Sequence, residues 1–194
     1  MIRLFCFAAF AVALMGVAAP SLATVFSYSA SLSGPAEFPA NLSPGTGTAL
    51  VDYDNVAHTL RVQVTFSGLL GNVTASHIHS ATAVPGTGTA GVATTTPTFT
   101  GFPSGVTSGT YDHTFDMTLS SSWNAAFITN NGGTPASAEA ALASGLAAGK
   151  AYLNIHTSQF GGGEIRGFLV PEPGTLVLAA AGALALLPLR RRRK

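Results

Sequence analysis

Residues 58–66 constrain the fold of this chain more than any other stretch. His58, Leu60, Val62, Val64 and Phe66 alternate with Thr59, Arg61, Gln63 and Thr65. Successive side chains of a strand point to opposite faces, so this period of two predicts a β-strand with one buried and one wet face. Similar stretches surround it. Val25 to Leu32 and Gly47 to Tyr53 precede it, and Val73 to His79 and Tyr111 to Leu119 follow. A last hairpin joins Ala151–Thr157 to Glu164–Leu169 through Gly161-Gly162-Gly163. Turn signals at Gly34-Pro35, Pro39 to Pro44 and Asp54-Asn55 separate these runs. Ala81 to Gly109, rich in Thr, Gly, Pro and Ala, reads as long loops with one or two weak strands. Two short helices are expected, over Ser120–Thr129 and from an N-cap at Thr134 through Pro135 to Leu146, the latter ended by Gly149. Short strands separated by glycine and proline predict an all-β domain, an antiparallel Greek-key or immunoglobulin-like β-sandwich with one or two short helices.

The ends of the chain differ in kind from this middle. Arg3 is followed by an apolar run from Leu4 to Ala19, then Pro20 and Ser21-Leu22-Ala23. A positive start, an apolar stretch and small residues mark a signal peptide over 1–23, cut by a signal peptidase after Ala23; an uncleaved membrane helix is the alternative. At the other end stand Pro171-Glu172-Pro173, an apolar run from Leu176 to Leu189, and Arg190, Arg191, Arg192, Arg193 and Lys194. Five cations stay on the cytoplasmic side, which places everything before the run across the membrane. Fourteen helical residues span roughly 21 Å, short of the roughly 30 Å hydrocarbon core. Such a segment suits transient insertion better than a permanent span. Residues 170–194 resemble the PEP-CTERM sorting signal of Gram-negative bacteria. The resemblance implies processing by an exosortase near Pro171, Glu172 and Pro173, and a place in the cell envelope, at the outer surface or in the extracellular matrix, where exopolysaccharide or other envelope proteins are the expected partners.

Setting the ends aside changes the charge. The whole chain carries +1, but between Thr24 and Val170 three cations face seven anions, a net −4. That mildly acidic domain has no basic patch for phosphates, which excludes nucleic-acid binding. Cys6, the only cysteine, lies in the signal peptide, so the domain must hold by packing without a disulfide. Its roughly 150 residues bury enough surface for that.

Leu32-Ser-Gly-Pro-Ala-Glu-Phe-Pro39, Phe66-Ser-Gly-Leu69, Ala75-Ser-His-Ile-His79, Gly149-Lys-Ala-Tyr-Leu-Asn-Ile-His-Thr157 and Gly162-Gly-Glu-Ile-Arg-Gly167 are similar to the CHRD domain, over essentially all of 24–169. The resemblance implies an extracellular β-domain and brings no activity with it. Gly161 stands where the family usually has proline, which should loosen the hairpin turn without moving the strands.

Candidate chemistry lies in the histidines. His77 and His79, two apart, project from one strand face, and Tyr152, Asn154 and His156 share a face of another strand. Three imidazoles from two strands could bind zinc or copper, with Glu164 or Tyr152 supplying an oxygen ligand or orienting a ring. The alternative is a hydrogen-bonded edge network in which Glu164 pairs with a histidine or with Arg166. Copper-zinc superoxide dismutases also carry a His-x-His strand, but their two-metal site needs six histidines and an aspartate; this chain has five histidines in all. No mature cysteine nucleophile or Gly-x-Ser-x-Gly elbow is present, and Gly86 to Gly91 lacks the lysine of a phosphate loop. Asp52, Asp54, Asp112 and Asp116 read as turn and exposed-strand residues. The sequence therefore predicts an exported, non-catalytic binding or structural protein; the alternative is a metal-binding domain with redox activity.

Overall fold

A computed structural model describes residues 25–172. The strands are β1 (Val25–Ser33), β2 (Thr46–Asp54), β3 (Thr59–Ser67), β4 (Val73–His79), β5 (Gly109–Asp116), β6 (Tyr152–Thr157), β7 (Ile165–Phe168) and β8 (Val170–Pro171). Two helices, α1 (Ala125–Asn130) and α2 (Pro135–Ala147), lie between β5 and β6.

The strands form one antiparallel sheet in the order β4-β6-β7-β1-β2-β3-β5, with β8 also on β1, curled into a half-barrel. This corrects the expected two-sheet sandwich. The reason lies in β1, which pairs along its whole length with β2 and at its end with β7 through Ser33 and Arg166. It therefore welds the two groups of strands that a sandwich would stack as separate layers. Twist curls so wide a sheet over its own apolar face. Leu32, Val51, Leu60, Val62, Val64, Phe66, Leu153, Ile155 and Ile165 are buried there.

β4 and β5 are sequence neighbours yet form the two opposite edges. The segment between them closes the gap. Phe99 and Phe102, both buried, pack against Tyr111 at 5.9 and 4.9 Å, and Phe102 stacks on Phe66 at 5.7 Å. The same segment pairs with the outer edge of β4, through Ala93 N–H to Ile78 O and Phe99 N–H to Ser76 O, so that edge is not left bare. Isolated bridges at Val92 and Thr94 are the only strand-like pairings it makes among the described residues.

The alternation of 59–66 holds, with Leu60, Val62, Val64 and Phe66 buried. His58 departs from it: its φ of 54° places it in the turn before β3, where Nδ1 lies 2.9 Å from Glu139 of α2. α2 begins as read, with Thr134 and Ser137 forming a reciprocal cap, and Gly149 follows it with a φ of 63°. The expected helix over Ser120–Thr129 is instead a single turn at Ser120–Ser122 followed by α1. Trp123 is extended between them, and Asn124 caps α1 by accepting from Ala126 N–H. The apolar residues Trp123 and Phe127 still stack, at 5.9 Å, with the indole N–H donating to Met117 O.

Among the described residues no helix is long and apolar enough to cross a membrane. The signal peptide with Ala23, and Pro173, the apolar run and Arg190 to Arg193 of the C-terminal segment, lie outside the described residues.

Candidate metal centre

Neighbouring strands β4 and β6 set His77 opposite Asn154 and His79 opposite Tyr152, while His156 faces Ala75. Side chains two apart on one strand share a face, so the period of two that marks both motifs gathers all three imidazoles on one patch. One nitrogen from each of His77, His79 and His156 falls within 4.8 Å of the others. The ring centroids are 4.7 Å apart for His77–His79 and 4.8 Å for His77–His156.

The second nitrogens decide how these rings can act. His77 Nδ1 lies 3.1 Å from Pro97 O, His79 Nδ1 2.7 Å from Ala90 O, and His156 Nδ1 2.9 Å from Gly161 O. A carbonyl oxygen only accepts, so each Nδ1 carries the hydrogen and each Nε2 is left with a lone pair. His77 Nε2 and His156 Nε2 stand 3.0 Å apart. Burial pushes the His77 pKa down to about 3, with neighbouring His79 and His156 adding to the effect. Burial likewise holds His79 and His156 below the usual imidazole range, against the pull of their carbonyl partners. The three rings are thus neutral near pH 7, with the lone pairs of His77 and His156 facing each other and that of His79 facing Asn154 Oδ1. A backbone carbonyl on the far nitrogen is the arrangement that orients a metal-ligating histidine and fixes its tautomer.

Tyr152 supports this cluster as a ring rather than as an oxygen ligand. It stacks on His79 at 4.6 Å with an interplanar angle of 6°, and its hydroxyl turns to Ala90. The Arg166 guanidinium lies 4.7 Å from the same Tyr152 ring and donates through Nε to Ala36 O and through Nη1 to Gly88 O.

Glu164 is placed elsewhere, which corrects its expected part in the site. Its carboxylate, fully buried, accepts from Ser43 Oγ at 2.6 Å, Leu70 N–H at 2.6 Å, Gly71 N–H at 3.1 Å and Thr157 Oγ1 at 2.7 Å. Burial alone would raise its pKa, but these four donors outweigh that and hold it below the usual carboxylate range. Nor does Glu164 pair with Arg166. Glu37 takes that place, its Oε2 3.8 Å from Arg166 Nε, while its Oε1 is buried with no hydrogen-bond partner. Burial raises the Glu37 pKa to about 7 against the attraction of Arg166.

The remaining polar positions are structural. Asp54 accepts from Val56 and Ala57 N–H, Asp116 from Thr118 N–H, and Asp112 pairs with Arg61 across β3 and β5. Pro171 and Glu172 of the C-terminal motif lie along β1: Pro171 stands opposite Tyr28, and Glu172 N–H donates to Ser27 O at 2.9 Å. Gly161, the departure from the family pattern, supplies the carbonyl that holds His156. The three backbone carbonyls escape sequence reasoning altogether, because any residue type offers one.

No match to the chain was found among curated proteins or solved structures. The sequence profile of the CHRD domain matches residues 28–169, from the middle of β1 to the residue before β8, and takes in the histidines, Glu37 and Glu164. The chain belongs to the CHRD domain family, whose members are typically extracellular or secreted.

Proposed function

We propose that this exported CHRD domain binds one transition-metal ion, zinc or copper, through Nε2 of His77, His79 and His156. One observation carries the reading. All three Nδ1 atoms are taken by backbone carbonyls, so the Nε2 lone pairs of buried His77 and His79 and half-buried His156 gather on one patch, those of His77 and His156 3.0 Å apart with no hydrogen between them. A proton could relieve that contact only by placing a charged imidazolium among buried rings. A metal ion relieves it while taking neutral nitrogens at about 2 Å, as zinc and copper do. The role is binding rather than catalysis, since Glu164 is committed to four donors and is not available to move protons at the imidazoles.

The test is elemental analysis of the full chain, purified in detergent without a histidine tag, with thermal unfolding before and after metal addition. Stoichiometric zinc or copper and a raised melting temperature are expected, both abolished in H77A/H79A/H156A. Neither metal bound and no stabilisation by either would overturn the proposal.

The setting is the cell envelope of a Gram-negative bacterium. The PEP-CTERM-like motif supports this, because it begins on β8, directly where the folded domain ends. Signal peptidase and an exosortase-type enzyme are the processing partners, and exopolysaccharide or other envelope proteins the lasting ones. Replacing Pro171-Glu172-Pro173 with alanines should leave an unprocessed, membrane-held chain; unchanged processing and location would count against this setting.

A further inference from the structure

A fourth lone pair points at the same place. Asn154, in register with His77 and 2 % exposed, brings Oδ1 to 3.1 Å from His79 Nε2. His79 cannot be the donor in that contact. Its hydrogen is on Nδ1, held by Ala90 O at 2.7 Å, and a second one would make it a buried cation beside two more imidazoles. Turning the amide over would supply a donor, since Nδ2 would then meet His79. The surroundings oppose this. A Cβ on Gly163 would lie 2.9 Å from Asn154 Nδ2 and 2.6 Å from Glu37 Oε1, so amide nitrogen and carboxylate oxygen face the same bare Cα. Glu37 Oε1 has no hydrogen-bond partner, and inverting the amide would turn a second acceptor towards it.

We propose that Asn154 Oδ1 is the fourth donor to the ion held by His77, His79 and His156, giving a closed N3O site. This rests on the three-histidine reading. The two shortest contacts fit such a cage. With bonds of 2.0–2.1 Å, two ligands stand about 2.8–3.0 Å apart at a right angle and about 3.3–3.4 Å apart at the tetrahedral angle. His77 Nε2–His156 Nε2 at 3.0 Å and His79 Nε2–Asn154 Oδ1 at 3.1 Å are two such pairs, made of four different residues. Four donors from the chain fill a tetrahedral ion and leave no place for a substrate, which is the pattern of a structural rather than a catalytic centre. Glu37 then acts by exclusion alone, since an inverted amide would set Oδ1 towards its unpartnered Oε1.

The experiment measures zinc affinity by competition with a chromophoric chelator, and the visible spectrum of the cobalt(II)-loaded protein, for the full chain in detergent and for N154A and N154D. N154A should bind zinc at least about tenfold more weakly and shift the cobalt bands as water replaces the amide oxygen. N154D, nearly the same shape, should shift the cobalt bands because a carboxylate oxygen replaces a neutral one; a residue that only positions His79 would leave them unchanged. An unchanged cobalt spectrum in N154D would overturn the fourth ligand even if N154A failed to fold, and would leave the three histidines standing. Failure of the wild-type chain to bind zinc, cobalt or copper at all would remove both proposals.

Discussion

Two buried polar clusters share β6 and the hairpin that follows it, and they solve opposite problems. Glu164 is an acceptor surrounded by donors: two hydroxyls and two backbone N–H groups from Ser43, Leu70, Gly71 and Thr157 close on one carboxylate. The histidine patch, which begins one residue from Thr157, is a set of acceptors facing acceptors. A buried charge that is fully hydrogen-bonded stabilises the fold from within, whereas buried lone pairs without hydrogens are costly until a cation joins them. The first cluster knots the 41–45 and 67–72 connections to the last hairpin. The second is the metal receptor proposed above.

Removing the donor-filled acceptor should have the largest effect. E164A leaves four buried donors unpaired and is expected to lose about 3–5 kcal/mol in chemical denaturation, with or without metal. A loss below 1 kcal/mol would show that the carboxylate is not the knot. The triple variant H77A/H79A/H156A should behave in the contrasting way. Metal-free stability should change little, because repulsive contacts disappear with the rings. The metal-dependent gain, about 2.7 kcal/mol at a hundredfold excess over Kd, should vanish. A strongly unfolded triple variant would erase the distinction between the clusters.

G163A probes the seam between them. Gly163 has a φ of 127°, and an added methyl would meet both Glu37 Oε1 and Asn154 Nδ2. The expected cost is about 1–3 kcal/mol, together with weaker metal binding, read by melting and by zinc competition. Unchanged zinc affinity would separate the Gly-Gly-Glu turn from the site.

The smallest effect comes with mild acid. The three site histidines have folded pKa values below the ordinary imidazole value of 6.5, so the unfolded chain takes up protons first, and stability is lost as pH falls below about 6.5. Glu37 acts in the reverse sense. Its pKa is raised from 4.5 to about 7, so its protonation favours the fold as pH falls from 7. Glu164, with a lowered pKa, loses its contribution only below about 4.5. Between pH 7 and 6 the metal-free protein should therefore become slightly less stable, three histidines outweighing one glutamate. In the triple histidine variant the sign should reverse. Equal slopes in the two proteins would mean that the rings are not held neutral.

The two clusters were not equally legible. Period two in His77-x-His79 and Tyr152-x-Asn154-x-His156 is local, so the shared face could be read without knowing the fold. Glu164 shows no such signal. Its partners come from residues 93 to 121 positions away as well as from nearby Thr157, so only the fold reveals that it belongs with them. Alternation puts Asn154 on the correct face, but the direction of its amide is set beside Glu37, brought in from the segment after β1. The architecture itself went astray for a related reason. Strand content follows from alternation, but the choice between one sheet and two rests on a few long-range pairings of β1, Ser33 with Arg166 and Tyr28 and Ser29 with β8. His58 shows the limit of periodicity in the other direction, continuing an alternation by identity while its backbone has already turned.

The short strand β8 runs beside the opening strand and ties Glu172 to Ser27. Entry and exit of the folded unit therefore sit side by side. Such a unit can be dropped into a surface loop of another protein, or strung in tandem, with little disturbance to its neighbours. Pulled from its two ends, it would peel first at β8, because the load would fall on that two-residue pairing before it reached the nine-residue pairing of β1 with β2. The histidine patch on β4 and β6 would be among the last parts to feel the strain.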